Sequence, residues 1–289
     1  MQQIEKDKKI KDFVEHAFWY HTIEFPDGLV SNGLYDHRER MPQYGFPENL
    51  NGKTVLDVGA ADGFFSFELE KRGGQVTAID THSYNGKVGH TDISPSKQAD
   101  YAQKYDLHRQ EAEQFQEICT SFGIDSPNRL LVAKAILGSL VDFRYESIYN
   151  LRQWQKKFDL VVCGDLIEHL KDPLGALENL VAVTGNMCVI TVSSSIKSPK
   201  NRILPKKIYK GLDKLLSYVG LRLAFGNETT LLEYCGNASG GSFFHFYPNT
   251  FRDAALASGF RRVEIFTEFD VKSDIRNSTN HHVVFHCYV

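Results

Sequence analysis

The sequence predicts a doubly wound α/β fold, a twisted parallel sheet with helices on both faces, and three observations carry that prediction. A short β-branched run, Val55, Leu56 and Val58, ends in a glycine turn at Gly59 and is followed by Phe64, Phe67 and Leu69 at helical spacing. After the stop at Gly73-Gly74 a second strand, "QVTAID", ends on a carboxylate, Asp80. The same strand–helix–strand rhythm returns in "FDLVVCGD", "LIEHLKDPLGALENLVAVTG" and "NMCVITVSS". Parallel strands joined by helices are βαβ units, whose ligands sit beyond the carboxyl ends of the strands. Gly59 and Asp80 both fall at such ends.

In chain order, residues 1–20 read as an amphipathic helix with Ile4, Ile10, Phe13, Val14, Ala17 and Phe18 on one side. The aromatic stretch "WYHTIEFPDGLVSNG" follows, broken at Pro26-Asp27-Gly28. Residues 1–50 are therefore expected to cap the cofactor side, and residues 51–289 to form one sheet domain. A chain of 289 residues, 42% apolar, can bury such a core. Residues 81–126 are too long for an ordinary strand-to-helix link and are read as an insertion over the cofactor mouth, with a polar helical stretch "YAQKYDLHRQEAEQFQEIC". "NRLLVAKAIL" resumes a core helix and "LVDFRYESIYNL" supplies the third strand and its loop.

The fourth strand is Phe158 to Asp165, and its helix is interrupted or restarted at Pro173. After the fifth strand, residues 196–247 form a second long insertion, expected to act as a lid, which opens on a basic run, Lys197, Lys200, Arg202, Lys206, Lys207, Lys210 and Lys214. A helix begins at Pro248 and stops at Gly259. "RRVEIFTEFD" and "HHVVFHCYV" close the sheet as an antiparallel pair, for seven strands in all.

Composition excludes several classes of function. A formal charge of −3 leaves no global basic footprint for nucleic acid. The five cysteines are scattered and lack a CxxC pair, so neither a disulfide framework nor a thiolate zinc site is expected. The amino terminus carries charges of both signs rather than the apolar core of a signal peptide, and nowhere do eighteen apolar residues run together. A cytoplasmic protein without a membrane partner is expected.

The turn "GAADGF" separates two adenosine-containing cofactors. A dinucleotide site wants glycine at the second motif position, where backbone approaches a pyrophosphate, and glycine or alanine at the third, where the helix packs close. Here those positions hold Ala61 and Phe64. Side chains there crowd a diphosphate but leave room for S-adenosylmethionine, an adenosine joined to an amino acid through a sulfonium. Asp80 stands where a carboxylate grips both ribose hydroxyls, in charge-assisted bonds worth about 1.5–3 kcal/mol each.

The order of elements, "VLDVGAADGFF", the acid of "AID" and "FDLVVCGDLIEHLKDPLGALENL" resemble the class I S-adenosylmethionine-dependent methyltransferases, with their Rossmann-like sheet. "WYHTIEFPDGLVSNG", "DLIEHLKDPLGAL" and "FYPNT...ASGF" are similar, more narrowly, to the group related to the tRNA wobble-uridine 5-oxyacetic acid methyltransferases. The resemblance implies that Asp57 and the backbone of Gly59, Ala60 and Ala61 hold the methionine end of the cofactor, and Asp80 the ribose. It places Thr81, Ser147 and Ile148 around the adenine, and Cys163, Gly164 and Asp165 at the cofactor's amino group. Those tRNA enzymes grip a carboxylated donor with a lysine in an Arg-Lys-Gly-Pro-Phe run. This chain has "WYHTIEF" and "MPQYGFP" instead, which points to the ordinary methyl donor and to a small-molecule acceptor.

Methyl transfer to a hydroxyl requires loss of its proton, so a base near the sulfonium is the residue to seek. His169 lies four residues beyond Asp165, on the same face of a helix that begins there, and is the first candidate; its bland alternative is packing of that helix. His245, in "SFFHFYPN", is the reserve, with burial in an aromatic cluster as its alternative. Asp165, Glu168 and His169 have a spacing that suits a divalent ion, but no second cluster supports one and no metal is expected. The basic run fits an acidic or phosphorylated small acceptor, or an RNA backbone. The expected function is O-methylation of a metabolite hydroxyl on a sugar, a polyketide or an acidic compound. The alternatives are a tRNA methyltransferase and a non-catalytic cofactor-binding module.

Overall fold

The computed structural model describes residues 2–81, 109–125, 128–194, 232–239, 242–273 and 277–289. In chain order its elements are α1 (Gln2–His16), β1 (Trp19–His21), β2 (Gly33–Tyr35), α2 (Met41–Tyr44), β3 (Thr54–Val58), α3 (Phe64–Lys71), β4 (Gln75–Asp80), α4 (Arg109–Ser121), α5 (Arg129–Leu137), β5 (Asp142–Tyr145), β6 (Phe158–Gly164), α6 (Pro173–Val183), β7 (Thr184–Ser194), β8 (Leu232–Ser239), β9 (Ser242–Phe246), α7 (Pro248–Ala257), β10 (Arg262–Ser273) and β11 (Ser278–Tyr288). Short 3₁₀ turns lie at Ile148–Trp154 and Ile167–His169.

Seven strands form the main sheet in the order β10-β11-β7-β6-β3-β4-β5. The pairs among β5, β4, β3, β6 and β7 are parallel, and β11 is antiparallel to both β7 and β10. The chain order reverses between β3 and β6, which opens a crevice at their carboxyl ends.

Period-two alternation assigns each strand residue to one of two cores. Val55, Ala78, Leu160, Val162, Val189 and Val284 face the amino-terminal cap, packing with Phe13, Trp19, Phe25, Tyr44 and Phe65. Leu56, Val58, Val161, Cys188, Ile190 and Phe285 face the other way, onto α6 and α7. Helix α6 shows why these segments are helical. Pro173 opens it, the Asp172 side chain accepts from Gly175 N at 2.9 Å, and Ala176, Leu177, Leu180 and Val183 make one buried stripe.

The cap departs from the expectation in one respect. The helix ends at His16, and Trp19–His21 becomes a short strand parallel to Gly33–Tyr35. The reason is local: the backbone N–H groups of Tyr20 and His21 both donate to Asp62 Oδ2, at 2.9 and 2.8 Å, which spares them the need for helical partners. Helix α4, read from sequence as part of an insertion, is amphipathic in its described half. Phe115, Ile118 and Cys119 are buried, and the Phe115 ring stacks on Phe13 of α1 at 5.5 Å. Within the second insertion β8 and β9 pair as an antiparallel hairpin, while the basic run from Lys197 to Lys214 lies outside the described residues.

Candidate active site

The strand register brings the predicted cofactor residues together. Val58 pairs with Ile79 on one side and Cys163 on the other, so Gly59, Asp80 and Gly164 end side by side. Gly59 and Ala60 donate from their backbone N–H groups to Ile79 O, at 2.9 and 3.1 Å, and fold the turn over the end of β4. Gly59 has φ of 79°, and a Cβ there would stand 3.0 Å from Leu166 Cδ2, so conformation and space both call for glycine.

Ala61 is left-handed too, at φ 51°, a conformation that costs an L-residue about 1–2 kcal/mol. Asp80 holds it there: Ala61 N donates to Oδ2 at 2.8 Å, while Thr81 N donates to Oδ1 at 2.7 Å. Glu146 N donates to the Asp80 carbonyl at 2.9 Å and so brings Ser147 and buried Ile148 alongside. Beneath the turn Ser66 Oγ donates to Asp57 Oδ2 at 2.5 Å, and burial pushes the Asp57 carboxyl up to about 6. Cys163 contributes only backbone to this crevice, since its side chain is fully buried in the second core.

These residues fit S-adenosylmethionine. The carboxylate at the end of β4 can meet vicinal hydroxyls, Gly59 and Gly164 leave backbone bare for close approach, and the second motif position, where a pyrophosphate needs glycine, holds Ala61. A Cβ on Gly164 would stand 3.2 Å from Phe65 Cε2, so this floor has no room for a side chain.

Beside the crevice, between the cap and the ends of β6 and β7, lies a buried polar cluster that the sequence reading did not assemble. Asp165, with φ of 46°, follows β6 and is fixed by its N–H, which donates to Thr191 O and to Thr191 Oγ1, both at 3.0 Å. Its Oδ2 stands 2.9 Å from His282 Nδ1, a contact of ion-pair length that is not aligned as a regular hydrogen bond. The His282 ring lies 5.5 Å from that of His37 and stacks on Phe269. Tyr44 Oη is hydrogen-bonded to His37 Nδ1 at 2.7 Å.

Glu168 is wholly buried, and its Oε1 accepts from both N and Oγ of Ser193 at 2.8 Å. Ser193 is the cross-strand partner of His282. Among the described residues Asp165 Oδ1, Glu168 Oε2 and His282 Nε2 are buried without a hydrogen-bond partner. Burial pushes Glu168 up to about 8, with help from the Asp165 charge, so it is protonated at neutral pH. Burial also pushes Asp165 up, but the contact with His282 outweighs it and holds the carboxyl below its usual value. Burial and the nearby His21 and His282 imidazoles push His37 well down, which leaves it neutral.

The two histidines singled out from sequence are placed differently. No α-helix begins at Asp165; His169 ends a 3₁₀ turn and α6 starts only at Pro173, so the four-residue spacing does not put His169 and Asp165 on one helical face. His245 lies half-buried on β9, which packs against that same turn. His169 and His245 therefore sit on neighbouring elements. Among the described residues no group of three His, Cys, Asp or Glu side chains is arranged to hold a metal, Asp165, Glu168 and His169 included. One signal for the missed cluster was present: alternation along "HHVVFHCYV" turns His282, Val284 and His286 to the cap face.

Residues 33–264 match the profile of the methyltransferase domain family. The N-terminal domain of EvdMO1, solved with SAH bound, superposes with a TM-score of 0.55 at 13% identity, covering 100% of this chain and 97% of that one, a likeness of fold. The ubiquinone biosynthesis O-methyltransferase of Hahella chejuensis is 25% identical over 199 residues, 67% of this chain and 62% of the relative. That of Actinobacillus pleuropneumoniae is 25% identical over 157 residues, 52% of this chain and 50% of the relative. The chain thus spans between half and two thirds of the length of these curated relatives. It belongs to the methyltransferase domain family, in the class I, S-adenosylmethionine-dependent fold. No described helix is long and apolar enough to cross a membrane.

Proposed function

We propose that this chain methylates a hydroxyl oxygen of a small molecule. The observation that carries the reading is the buried cluster of imidazoles and carboxylates beside the strand ends, because a hydroxyl, unlike an amine or a thiolate, needs a positioned proton acceptor to attack carbon at neutral pH. The curated relatives are named O-methyltransferases, which supports oxygen as the receiving atom. When bound, S-adenosylmethionine supplies a methyl group on a sulfonium, open to in-line displacement. The chain's own part is to orient and to dry: Asp80 holds the adenosyl end, Asp57 and the turn at Gly59 face the amino acid end, and Phe64 and Phe65 exclude water. His169 and His245 border the acceptor from the side of β9.

The test is transfer of a labelled methyl group from S-adenosylmethionine to a set of phenols, sugars and hydroxy acids, with the product identified by NMR and Asp80→Ala as control. An O-methyl product is expected. A methyl group found on nitrogen or carbon, or turnover unaffected in the control, overturns the reading. The tRNA alternative predicts methyl incorporation into RNA and none into the small molecules.

A further inference from the structure

We infer that the Asp165–His282 pair takes the proton from the acceptor hydroxyl, an assignment that rests on the O-methylation reading above. The two residues come from distant parts of the sequence, the loop after β6 and the strand β11, and meet at 2.9 Å across the end of β7, beside the crevice that opens between β6 and β3. His282 Nδ1 faces the carboxylate, which leaves Nε2 as the ring's basic atom, and that nitrogen has no partner among the described residues. A buried polar atom left without a partner is costly. Four of them here, both ring nitrogens of His282, Asp165 Oδ1 and Glu168 Oε2, lie within one cluster, and an entering hydroxyl meets such atoms at the same time as it is oriented.

Electrostatics agrees with the geometry. As the oxygen–methyl bond forms and the methyl–sulfur bond breaks, its electron pair staying on sulfur, the hydroxyl proton passes to Nε2, the ring becomes an imidazolium, and the neighbouring carboxylate stabilises that charge without accepting a proton itself. Asp165 stays a carboxylate despite its burial, held down by the contact with His282, while protonated Glu168 adds no competing charge. The remaining groups facing His282 are neutral His37 and the Phe269 ring of β10. The left-handed backbone of Asp165 is held by both of its contacts to Thr191, so the carboxylate is oriented before any ligand arrives.

Two measurements decide the assignment, and one needs no acceptor. In the complex with S-adenosylhomocysteine, ¹⁵N NMR of the histidine rings should show His282 carrying its proton on Nδ1 with Nε2 bare, and Asp165→Asn should abolish that preference. With the hydroxyl compound found by the labelling assay, His282→Gln should lower kcat by about 10²–10⁴-fold. The loss should shrink as the assay pH is raised, with affinity for S-adenosylhomocysteine within threefold of the parent. His169→Gln and His245→Gln should lower kcat by less than His282→Gln does. A proton fixed on Nε2 in the complex, or a kcat for His282→Gln within threefold of the parent with an O-methyl product, overturns the assignment and leaves the reaction standing. A product methylated elsewhere overturns the reaction, and the NMR result still decides whether Nε2 is free to act as a base.

Discussion

Asp62 and His21 lock the amino-terminal cap onto the cofactor turn. His21 donates from Nδ1 to Asp62 Oδ1 at 2.5 Å, its backbone N–H donates to Oδ2, and both side chains are almost entirely buried. Asp62 belongs to "GAADGF", the segment that carries the left-handed residues Gly59 and Ala61, so one carboxylate ties the fold of the cap to the shape of the cofactor site.

Removing that carboxylate should therefore cost stability first. Asp62→Ala leaves the Tyr20 and His21 N–H groups and the His21 ring without their acceptor, and at about 1–3 kcal/mol per orphaned group a loss of about 3 kcal/mol or more is expected. Denaturant unfolding reads the loss. Faster hydrogen exchange at Tyr20 and His21, with β6 and β7 unchanged, would locate it in the cap.

Asp80 should separate turn formation from ligand binding. Its two oxygens each accept one backbone N–H in this structure, and a ribose adds further donors. Asp80→Ala should weaken S-adenosylhomocysteine at least tenfold to a hundredfold in calorimetry, as expected from one or two charge-assisted hydrogen bonds. Equal affinity in the mutant, or NAD binding more tightly than S-adenosylhomocysteine, contradicts the assignment.

Glu168 makes a prediction about pH. Its folded value of about 8 lies above the ordinary 4.5, so the folded chain keeps a proton that the unfolded chain has lost. Stability is then greatest below pH 4.5, declines as pH rises toward 8 and is flat beyond, by at most about 5 kcal/mol. Glu168→Gln keeps an acceptor for Ser193 and cannot ionise. Its melting temperature should exceed that of the parent by a margin that grows from pH 5 to pH 8. A constant margin would mean that Glu168 is already ionised in the folded protein.

What the sequence disclosed follows from how local each signal is. The strands, the turn at Gly59 and Asp80 were legible because apolar period, glycine and a terminal carboxylate all lie within about thirty residues, where spacing fixes geometry. The Asp165–His282 contact was not, since it needs the register of β11 against β7, and register is set by tertiary packing across the sheet. His169 does not share a helical face with Asp165, because Ile167–His169 is a 3₁₀ turn and the α-helix starts only at Pro173, one residue past the Asp172 cap. The pairing of Trp19–His21 with Gly33–Tyr35 was hidden because its backbone partner, Asp62, stands forty residues away in the cofactor turn.

Asp57 gives the last prediction, a pH dependence of cofactor binding. The residue is buried at the end of β3, beneath the turn, and burial raises its carboxyl from 3.8 to about 6 even though Ser66 donates to it. If it faces the cofactor's amino group, the binding species is the carboxylate, since an ammonium gains nothing from a neutral acid. Affinity for S-adenosylhomocysteine should then fall as pH drops below about 6, approaching tenfold per pH unit, and level off above 7. The stability sign is opposite: the raised value makes the ligand-free protein lose stability as pH rises from 3.8 to 6, so the ligand should stabilise more strongly at pH 7 than at pH 5. Asp57→Asn keeps an acceptor for Ser66 and removes the charge, and should bind weakly and equally at both pH values, which also separates this effect from that of Glu168. Calorimetry at pH 5, 6 and 7.5 on both proteins measures it. An affinity independent of pH in the parent would show that Asp57 serves the turn through Ser66 alone, with the amino group held by backbone carbonyls instead.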